Sequence, residues 1–153
     1  MIEINYNVDE VGWKKNFPYF KKYISKTVKE TINIIGIGIN KNISVTFFLT
    51  SNKKIKELNL KYRNKDKPTN VLSFPMQFSY MNYYLLGDIA LSNQTLIREA
   101  TEQKITKYDY LCKMTIHGML HLMGYDHETD KQFKQMRKFE KLIYSNIKQK
   151  NDK

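Results

Sequence analysis

Three histidines, the only ones in the chain, lie within the segment HGMLHLMGYDH at residues 117–127. His117 and His121 are four residues apart, so on a helix their side chains share one face, with Cβ atoms about 5–6 Å apart. Gly124 can adopt the left-handed conformation that ends a helix and turns the chain back. His127 follows three residues later and can return to the same point. The spacing therefore predicts that three imidazoles bind one metal ion.

The ligand set indicates a catalytic site, and we predict one Zn²⁺ per chain. Three neutral imidazoles with one open position are typical of catalytic zinc, whereas a structural site is more often closed by a fourth protein ligand. Cys112, the single cysteine, lies five residues before His117 and is poorly placed to be that ligand; we expect it to be buried in a helix. Ordinary core and turn histidines are the alternative, but that interpretation suits a lone histidine better. Such a site would also accept Ni²⁺, Co²⁺ or Cu²⁺.

Gly118 departs from the pattern of zinc proteases with this histidine spacing. Those enzymes carry a glutamate directly after the first histidine, where it acts as the general base that activates water. A glycine at this position removes the usual proton acceptor for peptide hydrolysis. Asp126, beside His127, has two open interpretations: it orients a metal ligand through a hydrogen bond, or it caps the last helix.

Arg63 is the second candidate for chemistry, in the segment LNLKYRNKDKPTNVLSFP at residues 58–75. It ends a predicted helix, just before a turn that leads into a strand. Its guanidinium could place two parallel hydrogen bonds on phosphate oxygens, which a lysine cannot do. The alternative is an exposed arginine that interacts with the last carbonyls of its own helix. The local sequence alone favours this second interpretation.

The charge of the chain points to a polyanionic partner. Twenty-six Lys and Arg residues against fifteen Asp and Glu residues give a formal net charge of +11, which attracts nucleic acid. The alternative is a compositional bias toward Lys, Asn and Ile. Aromatic side chains of one segment are candidates for stacking on RNA bases, although core packing is the commoner role of such residues. These side chains are Phe78, Tyr80, Tyr83 and Tyr84.

Hydrophobic periodicity and turn residues predict four strands and five helices. The predicted strands cover residues 2–8, 43–50, 70–75 and 85–92, with Pro75 ending the third and residues 76–84 forming a loop. The predicted helices cover about 17–35, 51–63, 93–103, 107–123 and 129–148, with Pro18 in the first turn of the first helix and Gly36 at its end. This order favours an α+β fold, in which a small mixed sheet of about four strands packs with about five helices around a zincin-like tris-histidine site.

The chain is expected to be one domain over residues 1–153, with 148–153 as a frayed tail. No apolar run is long enough to span a membrane, and the first residues do not resemble a signal peptide. A single cysteine suits a reducing compartment. These features together favour a soluble, cytoplasmic protein.

The segments HGMLHLMGYDH, LNLKYRNKDKPTNVLSFP and LLGDIALS, in this arrangement, resemble the YbeY family of single-strand-specific, metal-dependent endoribonucleases. The resemblance runs from about residue 43 to residue 143. It implies that His117, His121 and His127 bind zinc and that Arg63 is a catalytic or RNA-binding residue. It further implies a cytoplasmic protein that acts in ribosomal RNA maturation and ribosome quality control, with the small ribosomal subunit as its partner.

RNA hydrolysis suits the missing glutamate better than proteolysis does. Zinc lowers the pKa of a coordinated water toward about 7, so a strong carboxylate base is not required. Arg63 could stabilise the charge that develops on the phosphate. The nucleophile, water or the RNA 2′-hydroxyl, stays open, as do the proton donor and the oligomeric state. Two alternatives from other classes are a protease-like zinc hydrolase and a non-catalytic ribosome-assembly factor with structural zinc.

Overall fold

A four-stranded mixed sheet forms the centre of the fold in the computed structural model, which describes residues 1–38 and 40–151. The strands are β1 (Ile2–Val8), β2 (Asn42–Thr50), β3 (Val71–Tyr80) and β4 (Tyr83–Ser92). The helices are α1 (Val11–Asn16), α2 (Phe20–Ile35), α3 (Asn52–Arg63), α4 (Asn93–Gln103), α5 (Lys107–Leu122) and α6 (Asp130–Asn151). The predicted α+β class and the four strands are confirmed, and the described residues contain six helices where five were expected.

The strand order in the sheet is β1-β2-β4-β3. β1 pairs with β2 and β2 pairs with β4 in parallel, whereas β3 runs antiparallel to β4. The parallel pairs require crossover connections, which α1 and α2 supply between β1 and β2. Because β3 stands last in the strand order, it is an edge strand, and the candidate site lies along it.

The alternation of side chains along the strands gives the sheet two packed faces. Phe47 and Ile89 point to the larger core, which α2 and α5 cover. Phe48 and Ala90 point to the opposite face, where they meet Ile55 of α3 in a smaller cluster. α3 and α5 thus pack on opposite faces of the sheet, with β3 at its edge between them.

β3 corrects the prediction that Pro75 ends the third strand and that residues 76–84 form a loop. The strand continues through Pro75 to Tyr80 and joins β4 by a tight turn, since Tyr80 pairs directly with Tyr83. Proline lacks a backbone N–H and is tolerated in an edge strand. The pairing shifts register between Pro75 and Phe78, and Gln77 there has a positive φ of 49°. Because most of this half-strand is exposed, it lacks the buried alternation that would have revealed it.

The sequence also missed one helix, and the start of α2 and the end of α6 differ from the predictions. The sequence did not reveal α1, a single-turn element in which only Trp13 is buried, with its indole N–H donating to the Thr50 carbonyl over 2.8 Å. α2 begins at Phe20, so Pro18 precedes the helix instead of occupying its first turn. α6 continues to Asn151, beyond the expected end at 148. The rest of the predicted frayed tail, residues 152 and 153, lies outside the described residues.

Two glycine predictions are confirmed. Gly36 follows α2 with a φ of 80°, and its N–H donates to the Ile32 carbonyl. Gly124 follows α5 with a φ of 97°. None of the helices described here is long and apolar enough to cross a membrane.

Gly87 gives a direct test of the packing between β4, β3 and α5. Its φ is 147°, and an added Cβ would lie 2.4 Å from the Phe74 carbonyl oxygen and 2.8 Å from a Leu122 methyl. We expect Gly87→Ala to lower the free energy of unfolding by about 2–4 kcal/mol, since backbone strain and overpacking add. Urea denaturation followed by circular dichroism measures the change.

Gly38→Ala is the matched control, because nothing lies within 4 Å of a Cβ at that position. Its unfolding free energy is expected to stay within about 0.5 kcal/mol of the wild-type value. Equal destabilisation by the two substitutions would contradict the assigned packing at Gly87.

Candidate metal centre

α5 carries two of the three histidines on the one face that it does not bury. Thr106 caps its first turn by accepting a hydrogen bond from the Asp109 N–H over 3.0 Å. Most of the second half of the helix is buried, so His117 and His121, four residues apart, are the partly exposed positions that face the same cleft. The positive φ of Gly124 then turns the chain so that His127 returns toward them.

The three imidazoles meet as the spacing predicts. One ring nitrogen from each of His117, His121 and His127 can be chosen so that all three lie within 4.8 Å of one another. The Nε2 atoms of His117 and His121 are 3.1 Å apart. In a tetrahedral site with Zn–N bonds of about 2.0–2.1 Å, two ligand nitrogens lie about 3.3 Å apart. The residues therefore fit a divalent metal ion with little rearrangement.

Glu140 of α6 sets the orientation of the first imidazole. Its Oε1 lies 3.1 Å from the His117 Nδ1, so we assign the ring proton to Nδ1 as the donor. The Nε2 of His117 then keeps its lone pair and turns it toward His121. A carboxylate behind a histidine ligand is the usual means of fixing its tautomer in metal sites.

His121 is held in the form that binds metal. Burial lowers the pKa of its imidazole, and the neighbouring His117 and His127 lower it further by electrostatic repulsion. Asp126 and a hydrogen bond with the Tyr125 backbone act in the opposite direction but are smaller causes. The net effect favours the neutral ring, and a neutral ring is what a metal ion requires.

The structure excludes one of the two interpretations of Asp126, namely that it caps the last helix. Thr129 and Gln132 form the cap of α6: the Gln132 N–H donates to the Thr129 Oγ1 over 3.1 Å, and the Thr129 N–H donates to the Gln132 Oε1 over 3.2 Å. Asp126 is not part of this cap. Its Oδ1 accepts a hydrogen bond from the His127 N–H over 2.7 Å, so it holds the backbone of the third histidine.

Gly118 faces the sheet at close range. A Cβ at this position would lie 3.2 Å from Ile89 carbon atoms and 3.2 Å from the Ser73 Oγ. The Ser73 hydroxyl also donates to the Gly118 carbonyl over 2.9 Å, which ties α5 to β3. A side chain here would require Ile89 and Ser73 to move by a few tenths of an ångström, so the tight contact favours glycine over the glutamate that zinc proteases carry after the first histidine.

Arg63 lies in the same cleft as the three histidines, although α3 packs on the opposite face of the sheet. Asn64 adopts a left-handed conformation, and its N–H donates to the carbonyls of Asn59 and Leu60. The Lys65 N–H also donates to the Asn59 carbonyl. The Asn59 amide in turn donates to the Lys67 carbonyl over 2.9 Å. The Asn59 and Leu60 carbonyls are thus satisfied by backbone N–H groups, and within the described residues the Arg63 guanidinium has no hydrogen bond or ion pair.

The cleft has a volume of about 690 Å³ and runs along β3. Its described lining residues are Arg63, Thr69, Asn70, Val71, Leu72, Ser73, Pro75, His117, His121, Gly124, Tyr125, Asp126, His127 and Glu128. The cleft is open to solvent, it contains both an arginine and a group of residues that could hold a metal ion, and it is large enough for a segment of a polymer.

Sequence relatives assign the chain to a family. A family model described as Endoribonuclease YbeY matches residues 8–148. The chain belongs to the YbeY endoribonuclease family. An endoribonuclease YbeY from Bartonella bacilliformis is 37% identical over 99% of this chain and 96% of its own length. Another from Aquifex aeolicus is 35% identical over 83% of each chain.

A solved structure has a similar fold. The solution structure of a Thermotoga maritima protein matches this chain with a TM-score of 0.54 at 29% sequence identity. The match covers 98% of this chain and 93% of that chain. Both the family and the fold expected from the sequence are therefore confirmed.

The aromatic residues named from the sequence have different surroundings. Phe78 and Tyr80 are more than half exposed on the outer part of β3, and Tyr83 is also exposed. Tyr84 is partly buried and packs against the larger core. Cys112 is buried, as expected for a packed thiol.

Sequence reasoning missed Glu140 because its partner is 23 residues away and on another helix. The sequence predicted α6 from its apolar positions but gave no measure of how the helix is rotated against α5. A signal was present in the four-residue spacing between Glu140 and Met136, since Met136 is buried against α5 and the same helix face continues to Glu140.

Glu140→Leu tests whether the carboxylate supports the metal centre. We expect zinc affinity to fall about 10- to 100-fold, because His117 loses the partner that fixes its tautomer. Competition with a chromophoric chelator measures the dissociation constant. Glu102→Leu is the control, since Glu102 is exposed and pairs with Arg98 away from the cleft. Unchanged zinc affinity in Glu140→Leu would contradict this role.

Proposed function

We propose that this chain is a zinc-dependent endoribonuclease that cleaves single-stranded RNA during ribosomal RNA maturation. Membership of the YbeY family makes it an RNA-cleaving hydrolase. The observation that carries the rest of the proposal is the presence of three converging imidazoles and Arg63 in one cleft. Zinc, the single-stranded substrate and the ribosomal role are the parts that experiments must test.

His117, His121 and His127 would hold the metal through neutral ring nitrogens, with Glu140 orienting His117. When bound, zinc lowers the pKa of a coordinated water and polarises a phosphoryl oxygen. The chain's own part is to hold the scissile phosphate and to stabilise the charge that it develops. Arg63 suits that task, because a guanidinium can place two hydrogen bonds on the phosphate oxygens.

Gly118 favours phosphodiester cleavage over proteolysis. The position that bears the general base in zinc proteases is a glycine here, in tight contact with Ile89 and Ser73. Cleavage of a peptide bond would lack this base. A phosphodiester is an anion, and Arg63 and the formal net charge of +11 both favour its binding.

The biological setting proposed for the protein is the one that the resemblance to the YbeY family implies. An open cleft in a chain with a formal net charge of +11 suits a single-stranded segment within a large folded RNA. We infer that the small ribosomal subunit and its maturing RNA supply this substrate, in the cytoplasm, with ribosome quality control as part of the role.

Arg63→Ala is the direct test of the proposed catalytic residue. We expect the rate of RNA cleavage under saturating zinc to fall about 10²- to 10³-fold, because a donor aimed at the transition-state charge is lost. Zinc affinity and unfolding temperature should remain at wild-type values, since Arg63 is exposed and lies outside the histidine cluster. A gel assay with a labelled single-stranded RNA measures the rate.

Arg98→Ala is the control for the loss of one positive charge, because Arg98 is exposed on α4 and pairs with Glu102. It should cleave RNA at close to the wild-type rate. Equal rates for all three proteins would remove Arg63 from the mechanism. RNA binding without cleavage by the zinc-loaded wild type would favour an assembly factor with structural zinc.

A further inference from the structure

A second cavity, of about 480 Å³, adjoins the cleft on the far side of residues 124–126. The two cavities share Gly124, Tyr125 and Asp126 as a common wall. The other described residues that line it include Gln77, Tyr84, Leu86, Met123, Gln132 and Gln135. A polymer bound in the cleft can therefore place one of its side groups in this cavity, which we call the glutamine pocket.

The glutamine pocket has the wrong charge for phosphate. None of its described lining residues is Lys or Arg, and Asp126 contributes a carboxylate. This contrasts with the cleft, which Arg63 lines together with the three histidines. In a chain with a net charge of +11, a pocket without cations suits a neutral group that makes hydrogen bonds.

The amides of the pocket are partly fixed by hydrogen bonds to the protein. Gln77 donates its Nε2 to the Leu122 carbonyl over 3.0 Å, which leaves its Oε1 as an acceptor. Gln132 uses its Oε1 to cap Thr129, which leaves its NH₂ as a donor. One acceptor and one donor that these bonds leave available are the kinds of group with which side-chain amides read the edge of a base.

The remaining walls include three apolar or aromatic residues beside the amides, namely Tyr84, Leu86 and Met123. A volume of about 480 Å³ lies in the range of small-molecule sites. A mainly polar pocket of this size with some apolar wall suits the chemistry of a nucleobase, which combines hydrogen-bonding edges with an apolar face.

We propose that the glutamine pocket binds the base of a nucleotide next to the scissile phosphate and gives the enzyme a base preference at that position. The inference rests on the proposed function and names a part of its substrate. It also gives a reason for a single-stranded substrate, because a base paired in a helix does not present its hydrogen-bonding edge to a protein pocket.

Gln132→Glu is the sharpest test. The glutamate keeps an oxygen for the Thr129 cap, because glutamate also serves in such caps, but it replaces the NH₂ donor with an acceptor. Gln149→Glu is the matched control, since Gln149 is exposed on the same helix outside the pocket. Each zinc-loaded protein cleaves a single-stranded RNA pool with a randomised segment, and sequencing of the product ends gives the base preference.

We expect the wild type to favour one base at one position beside the cut. Gln132→Glu should lower cleavage at that base about three- to tenfold relative to the other bases, the effect of one lost hydrogen bond. Gln149→Glu should keep the wild-type preference, even if its added charge slows all cleavage equally. A wild type without preference, or a Gln132→Glu variant with the wild-type preference, would overturn the assignment.

A binding measurement separates this proposal from the proposed function. Uncharged adenosine, cytidine, guanosine and uridine are titrated into metal-free protein, and the side-chain amide signals of Gln77, Gln132 and Gln135 are followed by NMR. If the wild type cleaves no RNA, the proposed function fails, and the pocket is judged on this titration alone. Shifts of these signals with one nucleoside more than the others support it; no shift at millimolar nucleoside overturns it.

Discussion

The close contact between α5 and the sheet at Gly118 is the constraint on which the site depends. An added Cβ there would lie 3.2 Å from Ile89, and the Gly118 carbonyl accepts a hydrogen bond from Ser73. This contact fixes the rotation of α5, and with it the direction in which His117 and His121 point. The same contact disfavours a larger residue at position 118, so the feature that positions the candidate metal ligands also disfavours the general base of a protease.

Groups from distant parts of the chain meet around this helix. α6 brings Glu140 behind His117, and the turn after Gly124 brings His127 to the other two rings. α3 ends at Arg63 from the opposite face of the sheet, and the edge strand β3 lines the cleft between them. Imidazoles that could hold a metal ion and a cation suited to phosphate thus lie in one cleft, an arrangement that suits the cleavage of a polyanion.

Residue spacing along one helix and the glycine at its end were enough to predict much of the candidate site. The four-residue spacing of His117 and His121 and the glycine at 124 specify geometry within one helix and its end, so they required no knowledge of the fold. The outer half of β3 was missed because an edge strand with exposed side chains lacks alternating burial, and Pro75 resembled a stop. Glu140 and the glutamine pocket depend on how helices are rotated against one another, which periodicity along a single helix does not define. The role of Arg63 needed the family resemblance, because its local sequence is that of an ordinary exposed helix end.

The central claim is that the three histidines hold one ion on which RNA cleavage depends. Metal-free wild type and His121→Ala, from parallel preparations, are titrated with Zn²⁺ while bound zinc and cleavage of a single-stranded RNA are both recorded. The account predicts that wild-type cleavage rises in proportion to zinc and stops rising at one zinc per chain, and that His121→Ala neither binds zinc tightly nor cleaves. Cleavage by the metal-free wild type at the full rate, or equal cleavage by His121→Ala, would contradict it.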